Sequence, residues 1–334
     1  MADARDTLLL AFEKGLAQAP AAGSHWLYLN AKPLPAHGND LKPNLACEQG
    51  FRPHFLDLQK SGWQVEPSRH EEAGYDGAMV LVSRSRQLNE VMLSRAWDSV
   101  KPGGAIIVAG DNHDGAKSLR KYVARHCGAA ESLSKHHAIV FAFSRSEADN
   151  PFPPQTKPRR GAFEIAPGMF SADGPDEGSL MLAGHFNDRI EGDVADFGAG
   201  WGFLGTSLLQ AAFRIDSFDC IEADHASLEA AKLNLEGLSE ETQLGFHWLD
   251  LTREAPPSKY DWIVMNPPFH DSHAANPALG VAFITAAAKA LKPGGKLLMV
   301  ANRNLPYEAA LAEAFASFST LEEGGRFKVI EAVR

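Results

Sequence analysis

Residues 266–270, Asn-Pro-Pro-Phe-His, directly follow a short apolar run at 262–265 that predicts a buried strand. Two consecutive prolines fix the backbone and remove two N–H donors, which leaves carbonyl oxygens to accept hydrogen bonds. An exocyclic aromatic amine is a poor nucleophile because its lone pair is delocalised into the ring. The side-chain oxygen of Asn266 and the carbonyl of Pro267 can accept hydrogen bonds from its two protons, while Phe269 stacks on the extruded base. The pattern predicts an in-line displacement at an amino nitrogen that depends on positioning and electrostatics rather than on a strong base.

Three residues beside this motif are candidates for further roles. His270 could accept the proton of the product, but we expect it to be solvated or to cap a helix. Asp271 and His273 could add metal ligands, yet nothing else in the chain completes a set, so we predict no metal.

A glycine-rich turn occupies residues 193–205, DVADFGAGWGFLG, between an apolar run and an apolar helical segment. Gly198, Gly200 and Gly202 let the backbone approach a ligand, and the start of the helix offers unpaired N–H groups. Asp196 precedes the glycines, where it would repel a pyrophosphate but can hold the ammonium of a methionine. The spacing is GxGxG rather than the GxGxxG of dinucleotide-binding turns, although another glycine follows three residues later. The pattern favours S-adenosyl-L-methionine as the cofactor.

Polar residues also end the later apolar runs. Glu222 comes twenty residues after Gly202 and can accept hydrogen bonds from both hydroxyls of a ribose. Asp250 either accepts from the adenine amino group or is the cap of a helix at the end of its strand. Arg303 either contacts a base through its guanidinium or is a surface residue of a loop. Its neighbours that could reach the same base are Asn302, Pro306 and Tyr307.

Strand and helix patterns alternate through the second half of the chain. The predicted parallel strands are 193–197, 217–222, 243–249, 262–265 and 296–301, the predicted helices are 203–213, 225–238 and 277–291, and 326–333 is predicted as a closing edge strand. This order predicts a doubly wound α/β sheet, with ligands at the carboxyl ends of its strands.

The chain contains an internal repeat. KPGGAIIVA at 101–109 recurs as KPGGKLLMVA at 292–301, and each copy follows a Tyr-Asp pair and an apolar run. The repeat predicts two copies of one α/β unit that arose by duplication. Together with the glycine turn and the Asn-Pro-Pro segment, it leads us to predict two tandem Rossmann-like class I methyltransferase domains. In the first copy the corresponding runs lead into Val-Leu-Val-Ser at 80–83 and Asn-Ala-Lys-Pro at 30–33, without Asn-Pro-Pro or a glycine triplet. We therefore predict a degenerate first copy that binds no cofactor and an active second copy.

The domain boundary is predicted from a connector at 150–165, NPFPPQTKPRRGAFEI, between domains at 1–149 and 166–334. Its prolines predict an exposed, semi-rigid linker, and Lys157, Arg159 and Arg160 could also grip an RNA backbone. The net charge is −10, but residues 1–165 carry 20 basic and 18 acidic residues, whereas the remainder carries 12 and 24. A polyanion would therefore dock on the first half and the connector.

Composition excludes several classes of protein. Cys47, Cys127 and Cys220 are far apart and form no CxxC pair, so we expect neither disulfides nor zinc, and a reducing cytoplasm. No uncharged apolar run approaches 18 residues, which excludes a transmembrane helix, and the acidic N-terminus lacks the pattern of a signal peptide. We expect a cytoplasmic monomer.

Motifs spread over most of the chain resemble the two-domain ribosomal RNA guanine 2-amino methyltransferases. These motifs are Gly110-Asp111-Asn112 with Gly115 and Ser118, Pro167-Gly168-Met169-Phe170-Ser171 with Asp176, Gly178 and Ser179, the glycine turn, NPPFHD at 266–271, Leu305-Pro306-Tyr307, and Gly325-Arg326-Phe327-Lys328-Val329. The resemblance implies that Phe170, Ser171 and residues 176–179, including Ser179, cap the cofactor, and that the first half binds RNA. Trp201 departs from the family pattern, in which a small residue is commoner. We expect it to pack outward or against the edge of the cofactor.

Within this family the tail RFKV and the HDS after NPPF favour an enzyme that acts on 16S RNA or the 30S subunit. A related large-subunit enzyme that acts on 23S RNA is the nearest alternative. A methyltransferase of adenine in DNA or of a protein glutamine is more distant, because NPPY is usual there. A nicotinamide-dependent oxidoreductase is disfavoured because Asp196 would repel the pyrophosphate of its cofactor. A non-catalytic ribosome-assembly factor is disfavoured because the motifs of the second half are intact.

Overall fold

The computed structural model describes residues 3–334 except 70–72, 129, 153–158, 161–162, 166, 170–173, 269, 272–273 and 276. At 159, 160, 270, 271, 274 and 275 it describes the backbone alone. The chain divides into two compact units, Met1–Thr156 and Lys157–Arg334, and the division falls inside the segment in which the sequence predicts a connector.

The first unit is a seven-stranded mixed sheet with helices around it. Its strands are β1 (Trp26–Leu29), β2 (Leu45–Glu48), β3 (Val65–Glu66), β4 (Tyr75–Leu81), β5 (Val100–Asp111), β6 (Glu131–Lys135) and β7 (Ala138–Ser144). Its α-helices are α1 (Ala4–Glu13), α2 (Arg52–Lys60), α3 (Arg86–Ser99) and α4 (Ala116–Cys127), and short 3₁₀ helices span Ala36–Asn44 and Asn112–Asp114.

The second unit repeats this architecture. Its strands are β8 (Arg159–Arg160), β9 (Phe163–Glu164), β10 (Glu191–Phe197), β11 (Arg214–Glu222), β12 (Gln243–Trp248), β13 (Tyr260–Met265), β14 (His270–Asp271), β15 (Ala274–Ala275), β16 (Leu291–Asn302), β17 (Ser317–Gly324) and β18 (Phe327–Val333). Its helices are α5 (Glu177–Ala183), α6 (Phe203–Ala211), α7 (His225–Leu235), α8 (Pro277–Ala290) and α9 (Glu308–Ala314). The pairs β8–β9 and β14–β15 form separate two-stranded ribbons.

Both large sheets have the same topology, which confirms the predicted duplication. The strand order is β3-β2-β1-β4-β5-β7-β6 in the first unit and β12-β11-β10-β13-β16-β18-β17 in the second. In each sheet five neighbouring strands are parallel. The last two strands of the order each pair antiparallel with the strand before them, so the penultimate strand runs against the other six. The prediction that 326–333 forms the edge was wrong, because β17 lies outside β18. β17 is polar and mostly exposed, so it lacks the apolar pattern by which strands are recognised.

Apolar burial on both faces explains why the parallel strands form continuous hydrophobic runs. Four consecutive residues of β13, from Trp262 to Met265, are buried, and β16 contributes another buried run between two helical layers. The helix α7 starts at Asp224, whose carboxylate accepts hydrogen bonds from the backbone N–H and hydroxyl of Ser227. It ends three residues earlier than predicted, where Gly237 adopts a φ of 74°.

An aspartate and a lysine of each repeat form an ion pair at the amino end of the sheet. Lys101 lies 2.8 Å from Asp76, and Lys292 lies 2.7 Å from Asp261. Each aspartate also accepts a backbone N–H from the neighbouring strand. Asp76 accepts the N–H of His25, just before β1, and Asp261 accepts the N–H of Asp193, just before the buried part of β10. The repeated Tyr-Asp and Lys-Pro-Gly-Gly motifs therefore perform the same structural role twice.

Candidate active site

The carboxyl ends of three adjacent strands, β11, β10 and β13, position the predicted site residues. In the glycine turn after β10, Gly198, Gly200 and Gly202 have φ values of 81°, 54° and 89°, a region that favours glycine. A Cβ at Gly202 would lie 2.6 Å from Leu235, so this glycine permits close packing of the turn on α7. A Cβ at Gly200 would meet no atom within 4 Å, which leaves the backbone there open to a ligand.

Asp196 is fully buried at the end of β10, and neither of its carboxylate oxygens has a hydrogen-bond partner among the described residues. Burial, together with the nearby charge of Glu222, raises the pKa of Asp196 well above its ordinary value. An unpaired buried carboxyl group is costly unless a cation neutralises it. The ammonium of a methionine would be such a cation, so this residue fits the predicted cofactor.

Glu222 holds the glycine turn after β10. One carboxylate oxygen accepts the N–H of Gly200 at 2.8 Å, and the other accepts those of Ala223 and Asp224, both at 2.8 Å. Burial raises its pKa despite these hydrogen bonds. The oxygen that accepts from Gly200 keeps further acceptor capacity, and contacts with ribose hydroxyls stay a prediction. The structural role of Glu222 could not be inferred from its position in the sequence.

Asp250 is buried after β12, where it caps a turn. One oxygen accepts the N–H of Thr252 at 2.9 Å and its hydroxyl at 2.6 Å, and the other lies 3.3 Å from Nε of Arg253. Asp250 therefore has a capping role, but it caps a turn and not the predicted helix, because residues 251–254 form a turn. The contact with adenine stays a prediction.

Asn266 follows β13, and its amide is held in one orientation. Its nitrogen donates to a carboxylate oxygen of Asp176 at 3.0 Å and to the hydroxyl oxygen of Ser179 at 2.8 Å. The hydroxyl of Ser179 donates in turn to the same oxygen of Asp176 at 2.6 Å. Within the part of the chain that the structure describes, the amide oxygen of Asn266 has no partner. This side chain can therefore accept a hydrogen bond from an amine, as the sequence predicts.

The other residues of the two motifs are only partly described. Pro267 is buried and Pro268 is exposed, while Phe269, Phe170 and Ser171 lie outside the described residues. His270 and Asp271 form β14 through their backbones, and His273 lies outside the description. Ser179 is buried beside Asn266, where it lines a cleft with Asp176, Gly198 and Gly200.

The segment after β16 corrects one prediction. Arg303 is exposed, with its guanidinium 3.4 Å from the carbonyl of Gly325 and 3.8 Å from Glu323, so its contact with a base stays a prediction. Tyr307 is fully buried, and its hydroxyl packs where a Cβ at Gly280 would fall. Its proposed contact with a base was wrong, because the ring belongs to the core. Asn302 accepts the N–H of Asn304, and Pro306 is exposed.

Trp201 does not point outward. Its ring is buried, with centroids 5.0 Å from Phe163 and 5.7 Å from Phe203. The buried amide nitrogen of Asn234 donates to the carbonyl oxygens of Trp201 and Glu164, and its amide oxygen accepts the N–H of Glu164. The end of the predicted connector therefore packs on the glycine turn. The sequence carries no recognisable signal for the role of Asn234.

The basic residues of the connector are described only in part. Arg159 and Arg160 form β8, which pairs with β9, but their side chains and all of Lys157 lie outside the description. Among the residues whose side chains are described, no three His, Cys, Asp or Glu residues form a group that could hold a metal. No helix in the described ranges is long and apolar enough to cross a membrane.

Fold and site together define an S-adenosylmethionine-dependent methyltransferase. A family model described as the methyltransferase small domain matches residues 160–331. The chain belongs to the ribosomal RNA small subunit methyltransferase C family. The protein of that name from Shewanella pealeana is 30% identical over 273 residues, which cover 78% of each chain. That from Shewanella denitrificans is 27% identical over 346 residues, which cover 98% of this chain and 90% of its own.

A solved structure shares the whole two-domain fold. It is the T. thermophilus 16S rRNA N2 G1207 methyltransferase (RsmC) in complex with AdoMet and guanosine. It is 24% identical and has a TM-score of 0.82, with coverage of 99% of this chain and 91% of its own.

Proposed function

We propose that this protein transfers a methyl group from S-adenosyl-L-methionine to the exocyclic 2-amino group of a guanine in 16S ribosomal RNA. The observation that carries the proposal is the orientation of Asn266, whose amide oxygen lacks a partner among the described residues. The names of the relatives support small-subunit ribosomal RNA as the substrate. The base and the atom are supported by the T. thermophilus relative, an N2 methyltransferase solved with guanosine.

The cofactor supplies an electrophilic methyl carbon on a sulfonium centre. In this proposal Asp196 holds its ammonium, the backbone of Gly198, Gly200 and Gly202 lies against it, and Glu222 accepts from its ribose. Asp250 contacts the adenine. The residues that would cover the cofactor are Phe170, Ser171 and Ser179.

The amine is activated by orientation. The oxygen of Asn266 and the carbonyl of Pro267 accept the two N–H groups, which directs the nitrogen lone pair toward the methyl carbon. Phe269 stacks on the base, a contact worth about 1–3 kcal/mol. As the N–CH3 bond forms, the S–CH3 bond would break and its electron pair would return to sulfur, so the cofactor would leave as the neutral thioether S-adenosylhomocysteine. The methylated nitrogen then carries a positive charge and loses its extra proton to solvent water, so no strong base is required.

RNA is held outside the reacting centre in this proposal. Arg303 contacts the base or its neighbour, and the connector residues Lys157, Arg159 and Arg160 neutralise phosphates. The 30S subunit and free 16S RNA present the same phosphate chemistry, and the experiment below distinguishes them.

Transfer of labelled methyl from S-adenosylmethionine tests the proposal. Unmodified 16S RNA, 30S subunits, 23S RNA and 50S subunits are assayed in parallel, and the labelled RNA is digested to nucleosides. Label in 2-methylguanosine from 16S RNA or 30S subunits is the expected result. Label confined to 23S RNA would identify a large-subunit enzyme with the same chemistry, and no label in any RNA would contradict the substrate.

A further inference from the structure

The polar contacts of Asn266 depend on a residue outside the Asn-Pro-Pro-Phe motif. The amide nitrogen of Asn266 has two protons, and its two acceptors are Asp176 and Ser179. An ionised carboxylate can only accept hydrogen bonds, so the nitrogen must face Asp176 and the oxygen must face away. With any other orientation two oxygens would oppose each other.

Asp176 is itself fixed by the helix it caps. One of its oxygens accepts the N–H groups of Gly178 at 3.0 Å and of Ser179 at 3.3 Å, at the start of α5. Its other oxygen is left for Asn266 and for the hydroxyl of Ser179. One carboxylate oxygen therefore caps the start of α5, and the other orients Asn266 and Ser179.

We propose that Asp176 is a positioning residue, which acts through Asn266 by holding the amide oxygen toward the substrate amine. This inference rests on the proposed function, because it assigns a role in the same reaction. A wrongly oriented Asn266 would present N–H donors to the amine, which donates too. Turnover would then fall although every motif residue was still present.

The substitution Asp176→Asn separates this role from capping. Asparagine is as good an N-cap as aspartate, so α5 should be preserved. The amide nitrogen of the variant would face that of Asn266, and Asn266 would turn over to accept from it. We expect kcat to fall about 100-fold, with the dissociation constant of S-adenosylmethionine and the thermal midpoint close to those of the wild type. Asp188→Asn, an exposed carboxylate that accepts the N–H of Phe213, is the matched control and should keep wild-type turnover.

Reversing both partners provides a rescue. In Asp176→Asn combined with Asn266→Asp, the new amide donates to one carboxylate oxygen and the other oxygen accepts from the substrate. We expect the double variant to turn over at least ten times faster than Asp176→Asn alone. A single variant within twofold of wild type, a parallel loss of turnover, cofactor affinity and thermal stability, or a double variant without recovery would each overturn the inference.

The amide orientation can also be measured without activity. In ¹⁵N-labelled protein the side-chain amide of Asn266, assigned by its loss in Asn266→Ala, should exchange slowly with solvent in the wild type and quickly in Asp176→Asn. Equal exchange in the two proteins would overturn the positioning role. If the wild type methylates no RNA but the exchange difference is found, the proposed substrate fails while the orientation of Asn266 stands.

Discussion

Tyr28 in the first unit occupies the register position that Asp196 occupies in the second. Tyr28 lies opposite Cys47 and Met79, and Asp196 lies opposite Cys220 and Val264. Tyr28 is fully buried and donates its hydroxyl to the carbonyl of Lys32. A bulky neutral side chain thus replaces the buried carboxyl that would hold the cofactor.

The same strand register aligns two further positions at which the first unit has a different residue from the second. Gln49 stands where the second unit has Glu222, and Leu81 stands where it has Asn266. We therefore predict one S-adenosylmethionine per chain, measured by isothermal titration calorimetry. The variant Glu222→Ala should bind much more weakly at that single site. Two sites per chain in the wild type would contradict the degeneracy of the first copy.

Asn266→Ala should abolish methyl transfer, because it removes the acceptor that orients the amine. We expect kcat to fall at least about 100-fold, with the affinity for S-adenosylmethionine within a few-fold of wild type. Single-turnover kinetics and calorimetry give the two values. Unchanged turnover would refute the catalytic assignment, and complete loss would also exclude a purely non-catalytic assembly role.

Asp196→Asn should stabilise the protein and weaken its cofactor binding. The pKa of Asp196 is raised in the folded state, so its contribution to stability is complete below the ordinary carboxyl pKa and is lost as the pH rises toward the raised value. The amide does not titrate, so the advantage of the variant in free energy of unfolding should grow by up to about 1.4 kcal/mol per pH unit. Loss of the partner for the ammonium should weaken binding roughly 30-fold or more.

Urea unfolding of the wild type and Asp196→Asn at pH 5 and pH 8 measures the difference in their free energies of unfolding. Titratable groups that both proteins contain contribute equally to the two values and do not affect the difference. Asp188→Asn, on the surface, is measured in parallel as the control. A constant difference between the two pH values would mean that Asp196 is not held in its neutral form.

Gly280→Ala should destabilise the second unit, although alanine normally favours a helix by about 1 kcal/mol over glycine. The new Cβ would lie 2.0 Å from the hydroxyl of Tyr307 and 2.3 Å from its ring, and such overpacking costs about 1–3 kcal/mol. Tyr307→Phe removes a buried hydroxyl that has no partner among the described residues, and it should be neutral or stabilising. Denaturant unfolding measures both, and a stabilised Gly280→Ala would show that the core can open there.

Neutralising Lys157, Arg159 and Arg160 with glutamine should weaken RNA binding and reduce the slope of log affinity against log salt by about 2–3. Fluorescence anisotropy at several salt concentrations measures the slope. The control replaces three cations elsewhere in the second unit and should leave the slope unchanged. Arg214 and Lys259 are exposed, and Lys232 is partly exposed. An unchanged slope in the connector variant would mean that the connector links the two units and does not contact RNA phosphates.

The parts of this protein that could be predicted are those written in local patterns. The glycine turn and the Asn-Pro-Pro segment follow apolar runs, and parallel strands bring their ends to one edge of the sheet. The polar edge strand β17 was missed because its burial pattern is weak. Tyr307 was misplaced because neighbours in sequence do not indicate which face a side chain takes. The contact between Asp176 and Asn266 joins residues 90 positions apart, so no local pattern could reveal it.

The aspartate–lysine pairs, Asp76 with Lys101 and Asp261 with Lys292, have survived in both copies, whereas the residues at the opposite ends of the same strands have diverged. Different side chains at one end of such a sheet are therefore compatible with the same contacts at the other. The two ends of this sheet are thus separable: one end carries polar contacts common to both units, and the other carries the side chains by which the units differ.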